Sequence, residues 1–169
     1  MGFVWNGVAT ANYRQTPPPR PIKKAGKMYK PENFKLYELV PKALYEAYHG
    51  SDILWYLFDD RILLAGDLIS MKYGPCIAND WYWGGQYQWR GFRTADCPEG
   101  ALLSQHKFGR AEDLIPQDVT AEEIRRDILA GKVASGLITC IEADVIHLHI
   151  DCRVPDAGGR IKVVYPTKQ

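Results

Sequence analysis

Polar and apolar side chains alternate along Val145–Arg153: His147, His149, Asp151 and Arg153 against Ile146, Leu148, Ile150 and Cys152. A strand points successive side chains to opposite faces, so this spacing puts both imidazoles and the carboxylate on one side. A polar strand face is ordinarily solvated surface, though such faces favour Thr, Lys and Glu. Two histidines followed by an aspartate suit convergence on a metal ion or a reacting group, and both readings stand at this point. The chain has four histidines. His49 falls at the end of an expected helix, where the dipole favours a cation. His106 lies in Ser104-Gln105-His106-Lys107-Phe108-Gly109-Arg110-Ala111-Glu112-Asp113. There Gly109 allows an unusual backbone angle or a close approach, and Ala111 leaves room on the strand face that carries Asp113. Ordinary packing requires none of this set.

The decapeptide resembles the SxHxxGxAxD signature of the zinc peptidases that include D-alanyl-D-alanine carboxypeptidases and phage L-alanyl-D-glutamate endopeptidases. Ser104, His106, Gly109, Ala111 and Asp113 all fit it. His149-Ile150-Asp151 is similar to the family's later HxD strand, and Gly91-Phe92-Arg93-Thr94 to its SGYR(S/T) segment. The resemblance implies a Zn2+ site built from His106, Asp113 and His149, with Arg93 facing the substrate. Two histidines and one carboxylate leave tetrahedral zinc an open position, as hydrolytic sites have. A water there has its pKa lowered to about 7. The chemistry further asks for a carboxylate base and an electrophile at the oxyanion. Many relatives carry an acid three residues before the last histidine ligand, where this chain has Ile146. The related hedgehog signalling domain instead has an HxH strand with a glutamate upstream of it. Glu142 is therefore the expected base and Asp144 the second choice, provided the chain between Glu142 and His147 forms a bulge or a longer turn. His147 is expected to donate to the oxyanion and Asp151 to orient a ligand histidine, with Ser104 and Gln105 supporting the site. Arg110 and Arg153 read as surface or ion-pairing residues.

These residues need a scaffold. The expected fold class is α+β, in the hedgehog/DD-peptidase manner: a small, mainly antiparallel sheet bears the zinc site, and helices pack on its other face. Strands are expected over 76–81, 135–142, 145–153 and 160–165, with Asp156–Gly159 turning between the last two. One helix is expected over Lys42–His49, stopped by Gly50, and another after Ser51 with Ile53, Leu54, Leu57 and Phe58 inward. A third follows Asp59 or Asp60 and stops at Gly74-Pro75. The fourth opens on the capping box Thr120-Ala121-Glu122-Glu123 and stops at Gly131. Trp81, Tyr82, Trp83, Tyr87 and Trp89 gather around Gly84-Gly85, in a loop that either lines a cleft or fills a gap over the sheet.

Residues 1–30, with the stiff stretch Thr16–Pro21, read as an extended or disordered arm, either a flexible terminus or a docking element for a partner subunit or virion component. Residues 31–169 read as the peptidase domain. Of the 169 residues, 46% are hydrophobic and 24% charged, ordinary for a globular chain. The net charge of +1 offers no footprint for nucleic acid. No apolar run reaches the ~18–20 residues of a membrane span. The start lacks a secretory pattern, so synthesis in the cytoplasm, with action at the bacterial cell wall or within a virion, is the expectation. Four scattered cysteines without a CxxC pair read as reduced thiols. The expected substrate is the peptidoglycan stem peptide, whose free carboxylates suit the planar fork of Arg93, in a phage or prophage setting. The alternative is a zinc-retaining structural or virion protein without turnover.

Overall fold

The computed structural model describes residues 28–166. The proline-rich stretch Thr16–Pro21 lies outside them. Met28 and Tyr29 already pack against the core. The Tyr29 hydroxyl donates to Asp67 Oδ2 (2.5 Å), and the backbone N–H groups of Glu32 and Asn33 donate to the same carboxylate.

The elements in chain order are α1 (Leu36–Leu39), α2 (Lys42–Ala47), α3 (Asp60–Tyr73), β1 (Cys76–Ile77), β2 (Ala111–Pro116), α4 (Ala121–Leu129), β3 (Cys140–Glu142), β4 (Leu148–Asp151) and β5 (Lys162–Val164). Local chemistry sets the helix ends. The Asp59 side chain accepts from the Arg61 N–H at the start of α3, and Gly74 ends it with φ 89°. Thr120 and Glu123 form the reciprocal capping box at α4. Ser51 also caps as expected, but the turn it opens, Asp52–Leu57, is a 3-10 helix.

The five strands lie in the order β1-β2-β4-β3-β5. Every pairing is antiparallel except β3 with β5. The class is thus α+β with a mainly antiparallel sheet. Strands are shorter than the sequence pattern suggests. Val145 and His147 stay outside the ladder because the Arg125 guanidinium takes their carbonyl oxygens. The strand expected from Cys76 ends at Ile77, since the Asn79 N–H turns to the Glu38 carbonyl and the Asp80 N–H to that of Tyr87. Trp81–Trp83 then form a 3-10 turn. The turn at Asp156–Gly159 does not make a hairpin: the chain crosses over β3, and β5 runs parallel to it.

Period two divides the sheet. Leu114, Leu148 and Ile150 are fully buried on one face, with Ile62, Leu63 and Ile69 of α3 and Ile124 and Ile128 of α4 in the same core. Each such side chain contributes about 1.5–3 kcal/mol by leaving water. Glu112 shares this inner face. It is fully buried, both its oxygens lack a partner, and a Cβ on Gly66 of α3 would collide with it. Burial pushes its carboxyl up to about 8, so the neutral acid prevails at neutral pH. Asp113 and His149 face the other way.

Candidate metal centre

Three local structures converge on the outer face. In the first, Ser104 precedes a 3-10 turn over Gln105–Phe108 that ends at Gly109 with φ 64°. A Cβ at Gly109 would run into the Leu57 carbonyl oxygen, so this corner requires glycine for both its angle and its closeness. The turn buries His106, 2% exposed. The second is β2, which carries Asp113 two residues beyond Ala111. The third is β4, paired with β2 in a register that sets Asp113 directly across from His149.

His106 Nε2, Asp113 and His149 Nδ1 form a tight triangle. The His149 Nδ1–Asp113 Oδ1 distance is 2.7 Å, His106 Nε2–Asp113 Oδ2 3.3 Å and His106 Nε2–His149 Nδ1 3.4 Å. One ligand atom from each residue lies within 4.8 Å of the others, as a bound metal ion requires. A tetrahedral ion with bonds of about 2.0–2.1 Å separates its ligands by about 3.3 Å. The two edges from His106 Nε2, to Asp113 Oδ2 and to His149 Nδ1, already match this, while His149 Nδ1 bonds the other carboxylate oxygen, Oδ1, in a hydrogen bond that metal binding would replace.

Neighbours present the correct ring nitrogens. His106 Nδ1 lies 2.7 Å from the Gly91 carbonyl oxygen, which can only accept, so the proton sits on Nδ1 and the Nε2 lone pair faces the triangle. Gly91 in turn is held tight, since a Cβ there would strike the Leu39 carbonyl. His149 Nε2 lies 3.3 Å from Asp151 Oδ2, which leaves Nδ1 for the metal. Asp151 is completely buried and is itself gripped by Arg153 through Nε at 2.8 and 2.9 Å and through Nη2. Second partners of this kind fix ligand orientation and tune the metal.

The electrostatics follow from this crowding. Burial opposes ionisation of Asp113, but the adjacent His106 and His149 outweigh it and hold its carboxyl well below the usual range. Burial likewise opposes charge on His149, yet its bonds to Asp113 and Asp151 raise it to about 9. Burial would also raise Asp151, but its bonds to His149 and Arg153 bring it down to about 2. Burial keeps His147 below its ordinary value against the opposing pull of Asp113 and Glu142. The buried thiols Cys140 and Cys152 are pushed up to about 12, burial being the main cause, so neither serves as a nucleophile.

The triangle opens into a cleft of about 420 Å³ whose walls include Glu142, His147, Arg93, Arg153, Ser104 and Gln105. Extending the β3–β4 register by one residue sets Glu142 across from His149, on the metal face. The loop that follows, 143–147, is longer than a tight turn and bends through Asp144 at φ 59°. His147 Nε2 lies 3.6 Å from Asp113 Oδ1 and 3.9 Å from Glu142 Oε2. Ser104 and Gln105 line the wall beside His106, where Gln105 Oε1 is buried without a partner. A larger cleft of about 530 Å³, around Met28, Asp60, Arg61 and Leu64, holds no such cluster.

Two expectations need correction. Asp144 does not support the site: it is exposed, occupies the left-handed corner of the loop and lies outside the cleft lining. Arg93 does not project freely toward a substrate: its Nε donates to the Trp89 carbonyl at 2.5 Å and its Nη2 to Asp113 at 2.9 Å. The aromatic loop fills space over the helices instead of lining this cleft, with Tyr82 stacked on Tyr37 at 4.0 Å. Arg153, read from the sequence as a surface or ion-pairing residue, is ion-paired with Asp151 and lines the cleft; sequence reasoning missed one participant, Arg125. Arg125 follows Ala121 and Ile124 and precedes Ile128 at the spacing of a buried helix stripe, a signal that a charge there faces inward.

Comparison of the chain with protein-family models, curated proteins and solved structures finds no match. Among the described residues, no helix is long and apolar enough to cross a membrane.

Proposed function

We propose that this chain is a zinc metallopeptidase that cleaves the stem peptide of bacterial peptidoglycan, of the carboxypeptidase and endopeptidase family that its motifs resemble. The hedgehog/DD-peptidase-like fold and a phage or prophage setting, with action at the cell wall, belong to the same reading. The observation that carries it is the meeting of His106, Asp113 and His149 with their metal-facing atoms freed by Gly91 and Asp151. Two nitrogens and one oxygen suit zinc with an open position.

When bound, zinc polarises the scissile carbonyl and lowers the pKa of water to about 7. Glu142, across from His149 and inside the cleft, takes the proton of the attacking water on its carboxylate and returns it to the leaving nitrogen. His147, whose hold on a second proton burial weakens, donates from Nε2 to the carbonyl oxygen as negative charge develops there. Arg93 holds Asp113 in place.

Zinc-loaded protein incubated with purified peptidoglycan is expected to release new amino groups, and Glu142→Gln to abolish the release while retaining zinc. Equal release by both proteins would remove Glu142 from its role. Silence from a fully loaded wild type would favour the second reading, a zinc-binding structural or virion protein. That alternative draws on Ile146, which is 92% exposed and stands where many relatives of the family it resembles carry an acid.

A further inference from the structure

The cleft contains two guanidinium groups, and their circumstances differ. Arg93 commits Nε to the Trp89 carbonyl and Nη2 to Asp113. Its side chain is 11% exposed, and a Cβ on Gly100 would stand 2.6 Å from Nη1, so backbone covers its remaining edge. Arg153 grips Asp151 through Nε and Nη2, leaves 32% of its side chain exposed and borders the cleft. A guanidinium presents five N–H donors in a planar fork. The Nη1 edge of Arg153 has no partner among the described residues and stays available for another acceptor.

Formal charge points the same way. Asp113, Asp151 and Glu142 supply three negative charges around the triangle, and Arg93 and Arg153 supply two positive ones. With a divalent ion in place, one positive charge is left over. A monoanionic group on the ligand balances it.

We propose that Arg153 forms the carboxylate subsite of this cleft, binding a carboxylate of the substrate peptide through its free Nη1 edge, and that Arg93 is a positioning residue for Asp113. The nature of the ligand rests on the peptidase reading above. Substrate-carboxylate recognition then falls to Arg153 instead of Arg93, both of which line the cleft. A stem peptide offers two sources of the group: its free C-terminus, or the α-carboxylate of its γ-linked glutamyl residue.

The test is calorimetric titration of zinc-loaded protein with a synthetic stem pentapeptide and with two versions, one amidated at the C-terminus and one at the glutamyl carboxylate. Because charge-assisted hydrogen bonds are the stronger class, one amidation is expected to weaken binding about tenfold or more. The other should leave it nearly unchanged, which identifies the source. With both variants compared at full metal loading, the acid-over-amide ratio is expected to fall to about one in Arg153→Gln and to be retained in Arg93→Gln. Phenylglyoxal labelling of the wild type, mapped by mass spectrometry, should show Arg153 protected by the acid peptide and not by the sensitive amide. This mapping decides the matter if Arg153→Gln fails to load zinc. No binding by the wild type, no effect of either amidation, a ratio that survives in Arg153→Gln or disappears in Arg93→Gln, or an unprotected Arg153 overturns the subsite. Hydrolysis without acid preference would sink the subsite alone, and acid preference without hydrolysis would sink the peptidase reading alone.

Discussion

Arg125 Nη2 donates to the carbonyl oxygen of His147 and so ties helix α4 to the loop that ends on the metal face. The same nitrogen reaches the Val145 carbonyl at 2.6 Å, and Nη1 reaches Glu122 at 3.0 Å. Arg125 is 3% exposed, so the loop carbonyls it satisfies have little water to turn to. Arg125→Leu is expected to cost about 2–4 kcal/mol, the range for losing buried charged hydrogen bonds. For a domain of this size that lowers Tm by roughly 5–15 °C. Metal should still bind at one ion per chain, because none of His106, Asp113 and His149 depends on the loop. Calorimetry with elemental analysis checks both statements; loss of the metal would mean the loop supports the ligands as well.

Removing the metal should destabilise the protein. An ion that binds only the folded chain stabilises it by about 4 kcal/mol when present at a thousand times its Kd. A chelator is therefore expected to lower Tm by several degrees in the wild type and to leave His106→Ala unchanged, since that variant holds no ion. His49→Ala serves as the control, because His49 is exposed at φ 51° and outside the cleft. Thermal scans with and without chelator read this directly.

Asp151→Asn should weaken metal binding without abolishing it. The carboxylate accepts from His149 Nε2 on one side and from Arg153 on the other. Outer partners of this type are worth about 10–100-fold in metal affinity. Competition against a chromophoric chelator measures the change, and an unaltered affinity would show that the His149 ring is held by packing alone.

Acid stability should depend on Asp67. Burial raises its carboxyl, but bonds from Tyr29, Glu32 and Asn33 outweigh that and bring it below the ordinary value. A folded pKa below the unfolded one gives stability that is present above the unfolded value of about 3.9 and lost as pH falls through the folded one. Asp67→Asn should therefore lower Tm at pH 7, with the gap to wild type narrowing below about pH 4. Parallel Tm curves across that window would remove Asp67 from acid denaturation.

The centre was largely legible because its ligands obey two local rules. Strand alternation put His147, His149 and Asp151 on one face, and the left-handed backbone at Gly109 is a local demand for glycine, to which the Leu57 carbonyl adds a distant one. The capping groups at Asp59 and Thr120 and the stops at Gly74 and Gly131 were legible for the same reason. What depended on distant partners was not. The placement of Glu142 rests on the pairing of β3 with β4 across a five-residue loop, 143–147, whose carbonyls are held by Arg125 from another element. The parallel pairing of β5 with β3 is a tertiary choice, and the hairpin signal at Asp156–Gly159 pointed elsewhere. Arg93 is engaged by two acceptors, Trp89 and Asp113, that no local pattern around it specifies.

Asp113, His149 and Glu142 stand abreast on three adjoining strands, with the chelating pair locked by the backbone ladder itself. Inserting or deleting one residue within any of those strands would rotate a member of the trio into the interior, so the sheet tolerates no length change there. The connections around the rim, 94–104 and 143–147, lie outside the ladder, although Arg125 holds two carbonyls of the second. Changes of length are therefore better placed in the loops than in the three strands that carry the cluster.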